Sequence, residues 1–372
     1  MKVAIVHEVL IGFGGGERVL EDILKVFPGA CVYTLIYTPK NMPERFKNYD
    51  IRTTYFQKIP FAGKIYQKLV PLMPGAWERL NLTGFDLVIS SSNNCCKGII
   101  TRPSAVHICY CHTPPRYYWD MFYEYKRNSS VLMRMILPPL IHKMRMWDKL
   151  AADRVDYYVA NSEFTAKRIQ KYYRRDAVVI YPGVHINDYP VTEKPEDYYL
   201  IVSRFVTYKR IDLAIEACNR LRKRLVIIGG RGDASDSLRR LAGESVEFKG
   251  CLPDDIMQQY YINAKAFLFP GKEDFGITPV EAQSAGVPVL AFGEGGALET
   301  VIDGKTGLFF YEQTVDALVN CIKKFEEAGV EYSRQKIREH SLIFSEEHFR
   351  REIQLFCMSK YNEENNGRKS CN

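Results

Sequence analysis

Two carboxylates separated by seven residues enclose a glycine-containing turn in the sequence EDFGITPVE, which runs from Glu273 to Glu281. The apolar residues 266–269 before this stretch predict a buried strand. A turn at the carboxyl end of a parallel strand can bind an anion such as a diphosphate. The first carboxylate precedes the turn, from where it can reach a neutral polar group beyond the phosphates. These residue types, in this order, indicate a site for a ligand that combines a diphosphate with neutral polar groups.

A short helix is predicted directly after this turn, with Thr278 as its N-cap and Pro279 at its first position. We therefore expect the amides of Gly276, Ile277 and Thr278 to lie at an open helix N-terminus. Glu281 stands three residues after the predicted cap, so Thr278 and Glu281 also fit a capping box. A turn that only caps the helix is the alternative to a ligand site.

A pair of cations precedes this stretch in the chain. Arg204 follows the apolar residues 199–202, which predict a strand, and Lys209 precedes a predicted helix over 211–221. Both side chains can point into the crevice at the end of that strand, where two cations would neutralise a diphosphate. A pair of solvated surface charges is the alternative.

The first half of the chain carries a glycine-rich loop and a histidine at predicted strand ends. The loop Gly12–Gly16 separates a predicted strand over 3–7 from a predicted helix over 17–27, and it allows a ligand to approach the backbone closely. Its spacing is not G-x-G-x-x-G, no Walker lysine follows it, and a plain tight turn is the alternative. His112 follows the apolar run 105–111, where it can donate to a phosphate or a sugar hydroxyl.

Strands alternate with helices along the chain, and this alternation predicts an α/β fold with parallel sheets built from βαβ units. The length of 372 residues is sufficient for two domains of ordinary size, each with its own core. The predicted organisation is a first domain over 1–183, a linker over 184–198, a second domain over 199–344, a closing helix over 345–360 and a frayed polar tail over 361–372.

The composition is that of a soluble globular protein, with 46% hydrophobic and 26% charged residues. No apolar run reaches the roughly 18 residues that a membrane span needs, and residues 2–6 predict a first strand rather than a signal peptide. The net charge of +7 is modestly basic, without a dense block of Arg and Lys. An anionic substrate or an anionic membrane surface is therefore favoured as partner over nucleic acid.

The ten cysteines are scattered without a C-x-x-C pair, as is typical of a reducing compartment, so we expect a cytoplasmic protein. The sequence comes closest to a metal cluster at His107, Cys109, Cys111 and His112. On a strand the first three residues share one face, whereas His112 points to the other. We therefore predict no metal site and no cofactor.

Two stretches of the first half mix basic residues with apolar ones, over residues 55–82 and 131–149. Such mixtures can contact a lipid surface. Ordinary amphipathic helices that pack on the domain are the alternative.

The second half resembles the donor-binding domain of the retaining glycosyltransferases of the GT-B fold, family 4. The shared motifs lie over roughly residues 199–356 and are S-R-F-x4-K-R, E-x7-E, A-G-V-P-V, G-G-A-L-E-T-V-I-D-G-K-T-G and F-S-x-E-x-F. The first half is similar through the glycine-rich loop, C-H-T-P-P and V-A-N-S-E-F-T. The run H-T-P-P-R-Y-Y-W-D resembles that of mannosyltransferases of surface-polysaccharide (O-antigen type) assembly.

This resemblance implies a fold and roles for matching positions. Two Rossmann-like, doubly wound parallel-sheet domains would face each other across a cleft, with the C-terminal helix crossing back to the first domain. Arg204 and Lys209 would hold the donor diphosphate, Glu273 the donor sugar and Glu281 the ribose, and His112 would lie near the transferred sugar. The diphosphate would also meet the backbone of two turns, at Gly276, Ile277 and Thr278 and at Gly15 and Gly16 of the other domain.

The resulting expectation is a retaining glycosyltransferase that moves a hexose to a glycan or a lipid-linked saccharide. The resemblance favours mannose from GDP-mannose, with a UDP-sugar as the alternative donor. The absence of a span together with the two basic-apolar stretches favours a peripheral position at the inner face of a membrane. No Asp-x-Asp pair stands at a strand end, and two side-chain cations can take the place of a metal, so we predict metal independence. A non-catalytic nucleotide-sugar sensor or scaffold and a nucleotide-sugar epimerase are the alternatives. A nicotinamide dehydrogenase would need a fingerprint that the chain lacks.

Overall fold

The computed structural model describes residues 1–127, 129–186, 191–230, 232, 234–327 and 332–369. Within this part the chain divides into two compact units. The first unit contains residues 1–183 together with the C-terminal segment from Glu347, and the second contains residues 184–346. Residues 187–190 of the predicted linker lie outside the described residues.

Each unit has one sheet, and all strand pairs described in both sheets are parallel. The strands of the first unit are β1 (Val3–His7), β2 (Cys31–Thr34), β3 (Ile51–Thr53), β4 (Leu87–Ser92), β5 (Val106–Cys111), β6 (Tyr157–Ala160) and β7 (Ala177–Val179). Those of the second unit are β8 (Tyr199–Arg204), β9 (Leu225–Gly230), β10 (Val246–Gly250), β11 (Ala266–Phe269), β12 (Val289–Phe292) and β13 (Gly307–Phe310).

Helices connect these strands and cover the sheets. They are α1 (Gly15–Val26), α2 (Ala62–Ile65), α3 (Met73–Glu78), α4 (Phe122–Arg127), α5 (Val131–Ala152), α6 (Glu163–Tyr173), α7 (Ile211–Leu221), α8 (Ser235–Leu241), α9 (Asp254–Asn263), α10 (Ile277–Ser284), α11 (Ala297–Thr300), α12 (Val315–Glu327), α13 (Arg334–Ser341) and α14 (Glu346–Lys369). Short 3-10 helices occupy Pro39–Asn41, Glu44–Asn48, Tyr55–Lys58, Tyr66–Leu72, Cys96–Gly98, Thr207–Lys209 and Leu342–Phe344.

The two sheets share one topology. The strand order is β3-β2-β1-β4-β5-β6-β7 in the first unit and β10-β9-β8-β11-β12-β13 in the second. In each sheet the order reverses once, between β1 and β4 and between β8 and β11, and the crevice beyond the strand ends at such a point is where doubly wound sheets bind ligands. This arrangement confirms the predicted pair of Rossmann-like parallel-sheet domains.

The core strands are largely apolar because parallel sheets are covered on both faces. In β11, Ala266, Phe267 and Leu268 are fully buried, and β1 is buried along its whole length. This burial, about 1.5–3 kcal/mol for each large apolar side chain, anchors the strand ends to which the functional loops are attached.

Helix α14 belongs to the first unit, where Phe349, Ile353 and Cys357 enter the same core cluster as residues of β1 and α1. These three residues repeat every four positions and form one buried stripe. The helix continues to Lys369, whereas the polar sequence predicted that a frayed tail begins at residue 361. Glu364 explains part of this extension, because its carboxylate accepts a hydrogen bond of 2.8 Å from the hydroxyl of Tyr157.

Candidate functional site

The point where strand order reverses in the second unit brings two predicted site residues into contact. Lys209 ends the short helix after β8, and Glu273 lies in the turn after β11, the strand that pairs with β8. The ammonium group of Lys209 donates to Oε1 of Glu273, and the two side chains are only 14% and 21% exposed. A small pocket next to this pair is lined by both residues and by the ends of β8 and β11. The residue predicted to bind the diphosphate, Lys209, and the residue predicted to bind the sugar, Glu273, are thus neighbours.

Arg204, the other predicted cation, ends β8 and is exposed. Its guanidinium group donates to the hydroxyl of Tyr208 at 3.0 Å. The Nζ atom of Lys209 lies 5.6 Å from the centre of the Tyr208 ring. Tyr208 therefore links the two cations, and the strand end presents one exposed and one partly buried positive charge.

Three glycines allow the loop that carries Glu273 to pack against neighbouring backbones. A Cβ atom on Gly271 would lie 2.9 Å from the Cα atom of Lys209, which is closer than real Cβ atoms approach. A Cβ atom on Gly295 would overlap the carbonyl oxygen of Glu273, and one on Gly296 would overlap the backbone of the same turn. The amide of Gly296 also donates to the carbonyl oxygen of Glu273 at 2.9 Å. No role was predicted for Gly271, Gly295 and Gly296, although their position after strands was a signal for close approach.

Helix α10 begins earlier than predicted. Its N-cap is Gly276, with φ of +90°, and Ile277 is the first helical residue. The prediction of Thr278 as N-cap is therefore wrong, and so is the predicted capping box with Glu281. The reason is local, because Gly276 occupies the left-handed region and turns the chain into the helix two residues sooner. The amides of Gly276, Ile277 and Thr278 still lie at the helix N-terminus, whereas Pro279 contributes no donor there.

Glu281 lies within α10, and its side chain is directed towards another helix rather than back to a cap. The hydroxyl of Tyr261, on α9, donates to Oε2 of Glu281 at 2.9 Å. The carboxylate is half-buried, and its orientation is fixed by a partner that the sequence analysis did not identify.

The corresponding strand ends of the first unit carry a hydrogen-bonded network of histidine and serine. Atom Nε2 of His112, directly after β5, lies 2.8 Å from Oγ of Ser91, and Nδ1 of His7 lies 3.1 Å from the same oxygen. His7 ends β1 and pairs in register with Ser91 of β4, so three adjacent strands deliver these side chains. Burial lowers the pKa of His112 to about 3, so the imidazole is neutral near neutral pH.

The glycine-rich loop lies next to this network. Helix α1 begins at Gly15, two residues before the predicted start, so Gly15 and Gly16 form its first turn. The amide of the preceding residue, Gly14, donates to Oε2 of Glu17 at 2.9 Å, and Oε1 of Glu17 lies 3.6 Å from Nε2 of His7. A Cβ atom on Gly16 would touch the His7 ring at 3.7 Å. The loop and His112, predicted separately, therefore meet through residues that the sequence analysis missed.

The side chains of His107 and His112 lie on opposite faces of the sheet, because successive residues of a strand alternate between faces. The Nε2 atom of His107 lies 2.9 Å from Oγ of Ser90, on the face of β4 opposite to Ser91. Within the ranges that the structure describes, no group of three or more His, Cys, Asp or Glu side chains could hold a metal ion. No helix in these ranges is both long and apolar enough to cross a membrane.

Two family models match the chain one after the other. The model for Glycosyltransferase Family 4 matches residues 13–188, and the model for Glycosyl transferases group 1 matches residues 187–341. Together with the two doubly wound sheets, these matches define the class: the chain is a glycosyltransferase of the GT-B fold. Within that class it belongs to family 4, as its motifs indicated.

Curated relatives and solved structures agree with this assignment. The chain is 25% identical to the alpha-1,3/1,6-mannosyltransferase alg2 of Schizosaccharomyces pombe over 82% of this chain and 70% of the relative. It is 35% identical to a GDP-mannose-dependent alpha-(1-6)-phosphatidylinositol monomannoside mannosyltransferase of Mycolicibacterium smegmatis, over 32% of this chain and 36% of the relative. The fold is similar to that of sucrose-phosphate synthase from Thermosynechococcus elongatus, with a TM-score of 0.74 and 18% identity over 97% of this chain and 100% of the other.

Proposed function

We propose that this glycosyltransferase moves mannose from GDP-mannose to a lipid-linked saccharide and retains the configuration at the anomeric carbon. The donor is supported by the relatives, one of which is named as GDP-mannose-dependent and several as mannosyltransferases. The lipid acceptor is supported by the same relative, which acts on a phosphatidylinositol monomannoside. The observation that carries the proposal is the contact between Lys209 and Glu273 where strand order reverses in the second sheet.

The cationic strand end suits a departing diphosphate. When the sugar–phosphate bond breaks, its electron pair stays on the diphosphate, and the sugar gains oxocarbenium character. A preorganised ammonium group and helix amides stabilise the developing charge more than the ground state. Lys209 is fixed for this role because Glu273 already holds it, and Arg204 can close on the phosphates from the exposed side. Two cations and the amides of Gly276 to Thr278 supply the charge that a metal supplies in other transferases.

Glu273 has a second task in this proposal. One oxygen of its carboxylate accepts from Lys209, and the other can accept hydrogen bonds from donor-sugar hydroxyls. Retention then needs no carboxylate nucleophile. The acceptor oxygen attacks the anomeric carbon on the face that the diphosphate leaves, and the leaving phosphate oxygen takes the acceptor's proton. Glu281, held by Tyr261, would bind the ribose. In the first unit, the backbone of Gly15 and Gly16 would contact the diphosphate, and His112 would lie near the transferred sugar.

A lipid acceptor requires access to a membrane surface, and the structure offers a candidate contact in the first six residues of α5. This segment, Val131–Ile136, is exposed at every position and is here called the α5 tip. Val131, Leu132 and Met135 expose 75%, 67% and 74% of their surfaces. The other apolar-basic stretch exposes Phe61 and Leu72 by 75% and 55%, but at widely separated positions, and it buries its largest side chain, Trp77, completely. The structure therefore favours α5 as the lipid-facing stretch.

Cations surround the α5 tip. Arg127, Arg134 and Lys143 are exposed, and Tyr123, on the preceding helix α4, is 80% exposed. An anionic bilayer attracts each such cation by about 1 kcal/mol, while apolar tips and tyrosines enter the interfacial layer. We propose that the α5 tip docks on an anionic membrane surface.

Vesicle sedimentation tests this docking. The parent protein is expected to bind vesicles that contain phosphatidylglycerol, and the double variant Leu132→Glu, Met135→Glu is expected to bind at least ten-fold more weakly. Leu355→Glu, which changes a 62% exposed leucine on α14, is the matched control and should bind like the parent. Equal binding by the double variant would contradict the assignment to the α5 tip.

A donor panel tests the catalytic proposal. GDP-mannose is expected to raise the melting temperature more than UDP-glucose, UDP-galactose or GDP-glucose, and to be hydrolysed slowly without an acceptor. Transfer to a lipid-linked saccharide should continue in EDTA. Stabilisation and transfer only with a UDP-sugar would overturn the proposed donor, and complete loss of transfer in EDTA with rescue by Mg²⁺ would overturn metal independence.

A further inference from the structure

Four residues from four elements form a continuous polar chain in the first unit. Oε1 of Glu17 lies 3.6 Å from Nε2 of His7, Nδ1 of His7 lies 3.1 Å from Oγ of Ser91, and Oγ of Ser91 lies 2.8 Å from Nε2 of His112. The side chains of His7 and Glu17 are only 4% and 17% exposed, and His112 is partly exposed at the end of the chain. The two middle groups, His7 and Ser91, are buried, and the two end groups, Glu17 and His112, are partly exposed.

The proton positions along this chain are coupled. The carboxylate of Glu17 favours the tautomer of His7 that carries its proton on the facing Nε2 atom, and in that tautomer Nδ1 is an acceptor. Ser91 has a single hydroxyl proton, and it donates that proton to His7. The serine oxygen must then accept from His112, so Nε2 of His112 carries the ring proton. Since burial keeps His112 neutral, its Nδ1 atom is left with a lone pair and no proton.

We propose that Glu17, His7 and Ser91 are positioning residues that hold His112 as a hydrogen-bond acceptor through Nδ1. The inference rests on the proposed function for the identity of the ligand, and it narrows the role of His112. A bare nitrogen accepts from a sugar hydroxyl but cannot donate to a phosphate oxygen. The group that His112 recognises is therefore a hydroxyl of the donor or acceptor sugar, and the diphosphate is left to the cations of the second unit.

Nitrogen NMR of the imidazole rings tests the proton positions without any substrate. The chain has seven histidines, so the signals of ¹⁵N-histidine-labelled protein can be assigned by single substitutions. His112 is expected to be protonated on Nε2 and bare on Nδ1. In Ser91→Ala, and to a smaller extent in Glu17→Gln, the ring should populate both tautomers. A parent spectrum with His112 protonated on Nδ1 would overturn the inference.

Kinetics provide the second readout. Loss of one positioning hydrogen bond is expected to lower kcat in Ser91→Ala by about 3- to 10-fold, with little change in the KM for GDP-mannose. Adding Ser91→Ala to His112→Ala should have no further effect, because the two residues act through one contact. Ser90→Ala is the matched control: it removes a similar serine–histidine contact of 2.9 Å, to His107, on the opposite face of the same strands. It should keep the parent kcat.

The outcomes separate this inference from the proposed function. If His112 shows the predicted tautomer but the protein does not turn over GDP-mannose, the proposed donor is wrong and the positioning role is supported. Normal turnover of GDP-mannose by Ser91→Ala, with an unchanged His112 spectrum, would remove the positioning role and leave the donor standing. A fall in kcat by Ser91→Ala that persists in the His112→Ala background would also contradict the inference, because the serine would then act independently of His112.

Discussion

The carboxyl ends of the two sheets have the same topology but opposite electrostatic character. In the second unit an ion pair, Lys209–Glu273, stands where the strand order reverses. In the first unit, β1, β4 and β5 deliver His7, Ser91 and His112, which meet through hydrogen bonds of 2.8 and 3.1 Å. In the proposed function, the strand end of the second unit binds the anion, and that of the first unit binds neutral hydroxyls. The fold provides the location, and the residue types at the strand ends decide which part of a substrate is recognised there.

The largest effect is expected from removal of the cation in the second unit. Lys209→Ala should lower kcat/KM by about 10³-fold, or about 4 kcal/mol, because the developing charge of the diphosphate loses its partly buried cationic partner. Lys249→Ala is the control, since Lys249 belongs to the same unit and pairs with Glu247 on a more exposed strand edge. Steady-state transfer assays measure kcat/KM for both variants and for the parent. Equal activity of the two variants would place the anion site elsewhere.

The carboxylate of the same pair should matter less than the cation. Glu273→Gln keeps the size and one acceptor oxygen but removes the charge, so kcat/KM should fall by about 10²-fold, or about 3 kcal/mol. The free energy of unfolding should change by about 1 kcal/mol or less, because the pair is partly exposed and screened by solvent. Urea unfolding and transfer assays on one preparation distinguish the two effects. A large loss of stability with normal turnover would make the pair structural.

Charge was the feature of these sites that sequence analysis could predict. Arg204, Lys209 and Glu273 stand at the ends of apolar strands, and their residue types indicate an anion and a neutral polar group. The network of the first unit was harder to predict, because His7 and Ser91 are separated by 84 positions and meet only through the parallel register of β1 and β4. A lone histidine or serine at a strand end gives no sign of its partner. The wrong start of α10 has a different origin, since capping patterns do not include the positive φ of Gly276.

A buried histidine of the first unit, His107, predicts that the free energy of unfolding depends on pH. Burial lowers the pKa of His107 to about 4, below the value of about 6.5 in the unfolded chain. The unfolded state therefore binds more protons below pH 6.5, and the free energy of unfolding falls as the pH decreases from 6.5 towards 4. The contribution of His107 between pH 6.5 and 4.5 is roughly 2–3 kcal/mol.

Urea unfolding across this pH range checks the sign and the size. His107→Gln should show a shallower fall than the parent, although it is less stable at pH 7 because its contact to Ser90 is altered. His185→Gln is the control, since that side chain is 58% exposed and should leave the slope unchanged. A parent protein whose stability rises as the pH falls from 6.5 to 4.5 would contradict the neutral burial of this histidine.

The smallest of these effects is expected from the backbone contact that sets the geometry of the ion pair. Gly271 has an ordinary φ, so Gly271→Ala adds no backbone strain and tests only the approach of 2.9 Å to the Cα atom of Lys209. Overpacking of this kind costs about 1–3 kcal/mol, and the loop that carries Glu273 must move away from Lys209. The variant is therefore expected to lose part of its stability and to transfer about ten-fold more slowly, since a displaced carboxylate no longer fixes the ammonium group. Gly75→Ala, at a helical position with open space around it, should leave the transfer rate unchanged and raise the stability by up to about 1 kcal/mol. If Gly271→Ala kept the parent rate, the contact between Lys209 and Glu273 would be tolerant of movement, and the second unit would depend on preorganised geometry less than the hydrogen-bonded network of the first.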